Sequence, residues 1–494
     1  MDNAEGMMEK IEKAAGLLAA AIGAEKVTRD VSELACFTGG HAAAGMLKLP
    51  GLVCRPTTVE DVVEILKTAN ELRVPTTAVS SGTIDYTTHP FEGGLVIDFS
   101  WMNKILEINE QSDYAVIEPG VTIGQLNGAV REKGYWAPFG SYPPSICVLG
   151  NYTQRGHASM RSCGIYDDVL GLEVVTPTGI VFRTGSAAFD HGQWHTTWGP
   201  FPDIRGLFMG AGGSFGVFTK GAVRIYPMNE TRKMVLAGFD DIRKSVDYCV
   251  RLARAGLVEH NIIWHWAMYS MFESMYGYKE LPGPRLLALK PWEKPRNCPY
   301  NVVTAQMSGF AEDMEVHEKL CGRLAGECGG EYIPRERAQE EMPGAWEHWK
   351  IIGIDRWPCT KFGKGFVQFG AFAFLYAAPQ KVAEMEEAAM RKFHDAGLRF
   401  GMTYYSQTFD RGRSQSIRFT PFISPLDRAR AREAMLTLDE FYRWAMEKYG
   451  AVAMLVSHPE QRDLLPMTGG YYEVWKMLKK TLDPNNIMNP HTLY

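Results

Sequence analysis

Two groups of residues in this chain have the types and spacing to do chemistry. The first is a run of small residues, Ser80-Ser81-Gly82-Thr83, placed just after Pro75 and the β-prone Thr76–Val79. A strand that ends in such a run exposes successive backbone N–H groups, which suit a pyrophosphate. Taken alone, the same run is also an ordinary turn. The second group is aromatic, cationic and imidazole-bearing: Tyr86, Trp264-His265-Trp266, Tyr404-Tyr405, Arg413, Arg418 and His458. Aromatic walls with a few polar groups bind small organic molecules, and a buried arginine binds a carboxylate or balances a negative ring. Core packing explains the aromatics equally well, a solvated edge the arginines, and a surface position His458.

Other motifs fail on their context. Gly210 to Gly216 has Phe215 where a G-x-G-x-x-G would need glycine, which disfavours a Rossmann dinucleotide site. Gly212 to Gly216 matches the G-x-S-x-G nucleophile elbow, but Val217-Phe218-Thr219-Lys220 is strand-like where that elbow needs a helix. His191 and His195 have i, i+4 spacing without H-E-x-x-H, so no metal site is expected.

The elements that must position these residues follow from pattern. Leu52–Cys54, Thr76–Val79, Leu95–Phe99, Ile105–Ile108 and Tyr114–Glu118 read as strands. Thr57 with Glu60 predicts a capping box, opening a helix whose buried stripe is Val59, Val62, Val63 and Leu66. Strands are also expected at Gly171–Val175, Ile180–Arg183, Gly221–Tyr226, 301–307, 366–376 and Ser414–Phe419. Helices are expected at 240–256, 312–327, 380–396 and 428–449. Trp264 and Trp266 would share one face of a strand, with His265 on the other.

Composition bounds the whole. A length of 494 residues predicts two to four units, and 46% hydrophobic with 22% charged residues is the make-up of an ordered globular chain. A net charge of −5 without a single-sign block argues against gripping nucleic acid as the main task. Of 49 glycines, 29 precede residue 229, which again places close backbone approach in the first half. Nine cysteines without a C-x-x-C argue against a disulfide framework or a zinc or iron–sulfur cage, and fit a reducing cytoplasm. The N-terminal apolar run lacks the basic residues of a signal peptide; Met7, Met8, Ile11, Ala15 and Leu18 predict an amphipathic helix instead. No membrane span is expected.

One ordered series of motifs goes further. It runs through Arg55-Pro56, Asp61-Val62, Pro75, Ser80–Thr83, Gly93-Gly94-Leu95-Val96-Ile97-Asp98, Met102-Asn103-Lys104-Ile105 and Glu118-Pro119-Gly120-Val121. It continues through Val148-Leu149-Gly150-Asn151, Arg155-Gly156, Gly171-Leu172-Glu173-Val174-Val175, Arg183-Thr184-Gly185, Trp198-Gly199-Pro200 and Gly213 to Lys220. It closes on Leu482-Asp483-Pro484-Asn485-Asn486-Ile487-Met488. With these the chain resembles the flavoproteins of the vanillyl-alcohol oxidase and p-cresol methylhydroxylase type. The resemblance implies an α+β fold: a two-subdomain FAD-binding domain with an α/β cap built on an antiparallel sheet. The boundaries expected are 1–228 for the first part of the FAD domain, 229–457 for the cap and 458–494 for the return.

The resemblance also implies a cofactor site and a function: Ser80–Thr83 would hold the pyrophosphate, and Pro75, Pro119, Gly120, Pro143, Gly150, Asn151, Gly156 and Asn489 would lie against FAD. FAD would be bound noncovalently, because Ser414–Arg418 offers no tethering His or Tyr and His89 lies outside the loop position that tethered relatives use. Hydride would pass to FAD from an alkylphenol-like or related aromatic or alicyclic substrate. Tyr86 matches one phenolate-stabilising tyrosine of the family. The family's Tyr-Arg pair should fall near 450–454, where the chain reads Gly-Ala-Val-Ala-Met, and its acidic residue falls near Gly164. The run Asp167 to Glu173 favours a 2-hydroxy-acid dehydrogenase as an alternative, although the metal-binding H-x-G-D-G-N-x-H segment of that branch is missing. A flavin subunit that relays electrons within a larger complex is a third reading. A small-molecule substrate, an electron-acceptor protein and a homodimer are the partners implied.

Overall fold

The N-terminal helix α1 (Asp2–Ile22) buries Ile11, Ala14, Leu18 and Ile22, one face at helical spacing. The structure is a computed structural model. It describes residues 2–38, 48–82, 92–138, 144–154, 165–277, 290–294, 298–350, 373–398, 403–420, 428–453 and 459–490. The apolar face of α1 packs with Val62, Ile65, Leu66 and Ala69 of α2 (Val59–Leu72). The capping box of α2 falls one residue later than expected, on Thr58 and Asp61 rather than Thr57 and Glu60. Asp61 is the better partner because it also receives the Thr57 N–H at 2.8 Å and the Lys26 ammonium at 2.7 Å.

Behind these helices lies a four-stranded sheet of β1 (Val27–Thr28), β2 (Leu52–Cys54), β3 (Thr76–Val79) and β4 (Leu95–Asp98), in the order β1-β2-β4-β3. Strands β2, β4 and β3 are parallel. The middle two are buried at every position, as covered parallel strands must be. A second sheet is antiparallel, in the order β5-β6-β9-β7-β8: β5 (Ile105–Asn109), β6 (Tyr114–Ile117), β7 (Val169–Val175), β8 (Val181–Arg183) and β9 (Val217–Arg224). Helices α3 (Ile123–Arg131) and α4 (Val148–Thr153) share its core. Strand β9 starts directly after Gly216, four residues before the expected Gly221, so no helix follows Ser214.

The cap is one antiparallel sheet of eight strands. Its members are β10 (Thr231–Phe239), β11 (His260–His265), β12 (Asn301–Gly309), β13 (Glu331–Ile333), β14 (Ala373–Ala377), β15 (Tyr404–Phe409), β16 (Ser414–Phe419) and β17 (Val452–Ala453). They lie in the order β13-β10-β12-β11-β15-β16-β14-β17. Helices α5 (Ile242–Ala255), α7 (Ala311–Glu327), α9 (Pro379–Asp395) and α10 (Arg428–Tyr449) cover one face. On the other face α6 (Trp266–Met275) and α8 (Pro343–Trp349) cover an aromatic cluster. The strand containing Trp264 ends at His265, so Trp266 opens a helix instead of continuing the alternation.

After the cap, α11 (Gly470–Leu482) brings the chain back to the first sheet, where Met488 lies parallel beside Thr76 of β3. The buried Lys479 fixes this return, donating to the Asp483 carboxylate at 2.5 Å and to the carbonyls of Ser214 and Met488 at 2.8 Å. Among the described residues no helix is long and apolar enough to cross a membrane.

Candidate flavin and substrate site

Three of the segments singled out for backbone approach meet at Cys147, a residue that sequence reasoning passed over. Its N–H donates to Ser81 Oγ at 3.3 Å, and its thiol donates to the carbonyl of Gly120 at 3.4 Å. Its neighbour Val148 donates to the carbonyl of Val121 at 2.9 Å. A Cβ on Gly150 would stand 3.0 Å from Ser80 Oγ. Ser80-Ser81-Gly82, Pro119-Gly120 and Gly150-Asn151 therefore line one cradle at the end of β3. Gly82 has φ +59, the left-handed backbone that a glycine supplies without strain. Gly120 packs so tightly that a Cβ would strike the carbonyls of Phe99 and Met102. Burial raises the Cys147 thiol pKa, while the Ser80 and Ser81 hydroxyls partly offset the rise. Such a thiol is held neutral.

Pro75 and Asn489 act one step back. Leu95 donates to the Pro75 carbonyl at 2.8 Å. Asn489 donates its backbone N–H to Thr76 and its side-chain amide to the carbonyl of Gly212 at 2.7 Å, clamping the return against the glycine-rich turn. Thr83, Tyr86, Pro143, Gly156 and His458 lie outside the described residues.

On the cap, strand register assembles a row across one face of the sheet. Trp264 sits opposite Tyr405, Tyr405 opposite Arg418, and Arg418 opposite Phe374. Arg418 Nη1 donates to the Tyr405 hydroxyl oxygen at 2.9 Å, and its guanidinium carbon lies 5.6 Å from both the Tyr405 and Phe374 ring centres. Trp264 is fully buried. Its ring centre is 5.8 Å from that of Tyr405, and its indole N–H donates to Thr304 Oγ1 at 2.9 Å. A planar cation over two rings, with a phenol in its hydrogen-bond fork, is suited to an anionic oxygen on an aromatic ligand.

Arg413 does not join this row. It follows the Asp410–Gly412 turn, mostly exposed, with Nη2 2.7 Å from the Asp410 carboxylate. The turn takes up the residues between the strands, so the arginine that faces Tyr405 is Arg418, five positions on. His265 takes the opposite face from Trp264, as alternation requires, and is buried under the helices. Its Nε2 donates to the Pro291 carbonyl at 3.0 Å, and Nδ1 lies 3.1 Å from Thr403 Oγ1. Burial pushes its pKa down to about 3, which fixes a neutral ring with no outlet towards the Tyr405 row. Asp168 is also structural: it is buried and accepts from the Tyr226 hydroxyl at 2.6 Å.

Comparison with known proteins now bears on this arrangement. Residues 50–185 match the FAD binding domain family. The chain is 26% identical over 470 residues to the flavoprotein subunit of 4-cresol dehydrogenase (hydroxylating) from Pseudomonas putida, covering 89% of this chain and 87% of that one. The crystal structure of p-cresol methylhydroxylase with substrate bound superposes with a TM-score of 0.83 at 21% identity, over 98% of this chain and 97% of that one. Residues 50–185 form an FAD-binding domain, and the chain has the fold of p-cresol methylhydroxylase. Glycolate oxidase subunit GlcD of Bacillus subtilis is 33% identical over 198 residues, 39% of this chain. The chain spans about two fifths of the length of the curated relatives that it matches above 30% identity.

The residues present fit an FAD, the cofactor that the FAD binding domain family implies. Asn151 is buried beside the cradle, and among the described residues its Oδ1 has no donor, which suits a polar group of a ligand. Ser80, Ser81 and Gly82 would hold the pyrophosphate, while Gly120 and Gly150 let the neighbouring segments pack close enough to form the cradle. The segment from 450 to 453, where the Tyr-Arg pair was expected, holds no anion-binding side chain: Ala451 is buried and Val452 exposed.

Proposed function

We propose that this protein is an FAD-dependent oxidoreductase that oxidises an alkylphenol-like substrate at the carbon attached to the ring. The Tyr405–Arg418 pair carries this reading, because it restores on the cap the phenolate-binding chemistry missing from the return segment. Bound FAD supplies a hydride acceptor. The chain's own residues do the rest. Arg418 donates to the oxygen of Tyr405 and so strengthens the tyrosine O–H as a donor to the substrate oxygen. The same cation favours loss of the phenolic proton and stabilises the negative oxygen that results. Trp264 and Phe374, packed on either side, exclude water and fix the angle of the pair. The name of the Pseudomonas putida relative, a flavoprotein subunit, supports a separate protein as electron acceptor.

Arg418 would also suit the carboxylate of a 2-hydroxy acid, the alternative that the glycolate oxidase relative favours. Rapid mixing of the anaerobic holoprotein with 4-ethylphenol separates the readings. Tyr405→Phe is expected to slow flavin reduction by about 10²-fold, the cost of one oxyanion donor. An unchanged rate, or reduction by hydroxy acids alone, would contradict the proposal.

A further inference from the structure

The face of the cap sheet that carries Tyr405 has a second, neutral anchor. Gln407 is two residues along β15 from Tyr405 and therefore shares its face, about 7 Å away at the strand repeat. Across the strands, Ser416 stands opposite Gln407 as Arg418 stands opposite Tyr405. His260, four residues before Trp264 on β11, belongs to the same face, and its Nε2 lies 2.8 Å from Gln407 Nε2. Burial pushes His260 down to about 4, so at neutral pH its ring is uncharged and accepts from the amide. Gln407 is 1% exposed, and among the described residues its carbonyl oxygen has no donor. A fully buried acceptor without a partner, on the face that presents the Tyr405–Arg418 pair, is a place for a ligand's donor.

We propose that Gln407, oriented by His260, is a specificity-determining residue whose carbonyl oxygen accepts a hydrogen bond from a hydroxyl or N–H on the substrate's side chain. This rests on the phenol reading above: Arg418 and Tyr405 hold the phenolic oxygen, and Gln407 reads the far end of the molecule. A site built around such an acceptor discriminates strongly against an analogue that leaves it unpaired.

The test compares 4-ethylphenol with 4-(2-hydroxyethyl)phenol, mixing each rapidly with the anaerobic holoprotein and taking the apparent dissociation constant from how the flavin-reduction rate rises with phenol concentration. The wild type is expected to bind the hydroxylated phenol at least about tenfold more tightly. Gln407→Met should abolish that preference, and Gln407→Glu, which keeps an acceptor, should restore it. His260→Leu, which removes the ring nitrogen that holds the Gln407 amide, should weaken the preference. A wild type without preference, or a Gln407→Met variant that retains it, overturns the assignment and leaves the phenol reading standing. Failure of both phenols to perturb the flavin sinks the phenol reading, and this assignment with it.

Discussion

Arg418 is the side chain on which the proposed phenol anchor turns. Lysine in its place would keep the charge but lose the planar fork that meets the Tyr405 oxygen. Arg418→Lys is therefore expected to weaken phenol binding by about 10- to 100-fold, the range of a charge-assisted hydrogen bond, as read from the flavin spectrum. Two buried groups on the other face of the cap sheet set opposite pH dependences. Glu386 is pushed up to about 7 by burial, with the Tyr300 and Tyr404 hydroxyls partly offsetting it. Its folded pKa exceeds its ordinary 4.5, so the stability it contributes is present below about 4.5 and lost as pH rises through about 7. Glu386→Gln should thus raise the Tm at pH 8 relative to wild type and change it little at pH 4.5. His265, held neutral with a pKa near 3 against an ordinary 6.5, acts the other way. The unfolded chain binds its proton first, and stability falls as pH drops from 6.5 towards 3. His265→Gln should flatten that acid limb in thermal melts. Residue types were legible here, but partners were not. Nothing in the spacing favours Arg418 over Arg413, since the choice depends on a three-residue turn and on strand register.

At the scale of elements, the cradle depends on backbone contact that only glycine permits. Gly120→Ala would drive a methyl into the Phe99 carbonyl and to 2.7 Å from that of Met102, and neither backbone can retreat like a flexible side chain. Gly128, in α3, has nothing within 4 Å of an added Cβ. Gly128→Ala should therefore stabilise slightly, by about 0.5–1 kcal/mol, and keep full flavin content. Gly120→Ala should purify with far less FAD, measured as the ratio of flavin to protein absorbance. Pattern located most elements, because the apolar stripes of α5 and α9 and the buried runs of β2 and β4 are strong signals. It missed β10 as a strand, whose Thr231-Arg232-Lys233-Met234 start is too polar to read as a core strand. Convergence on Cys147 was equally invisible, since it depends on loops far apart in sequence.

Over the whole molecule, the return of the chain after the cap closes the FAD-binding part. Lys479 and Asp483 are a buried pair whose ammonium also holds two carbonyls, so removing one partner strands the other charge. Lys479→Met is expected to cost about 3–5 kcal/mol in chemical denaturation, and to loosen Met488 from β3 enough to lower flavin retention. That the chain returns at all was readable from the terminal Leu482 to Met488 motif, whereas the clamp of Asn489 on Gly212 was not. The central claim is that this molecule couples a bound FAD to a phenol held by its cap. The most direct measurement is the flavin spectrum of the anaerobic holoprotein during separate titrations with 4-alkylphenols and 2-hydroxy acids. The account predicts loss of the oxidised flavin bands with the phenols and none with the acids. Bleaching by the acids alone, or by neither class, would contradict it.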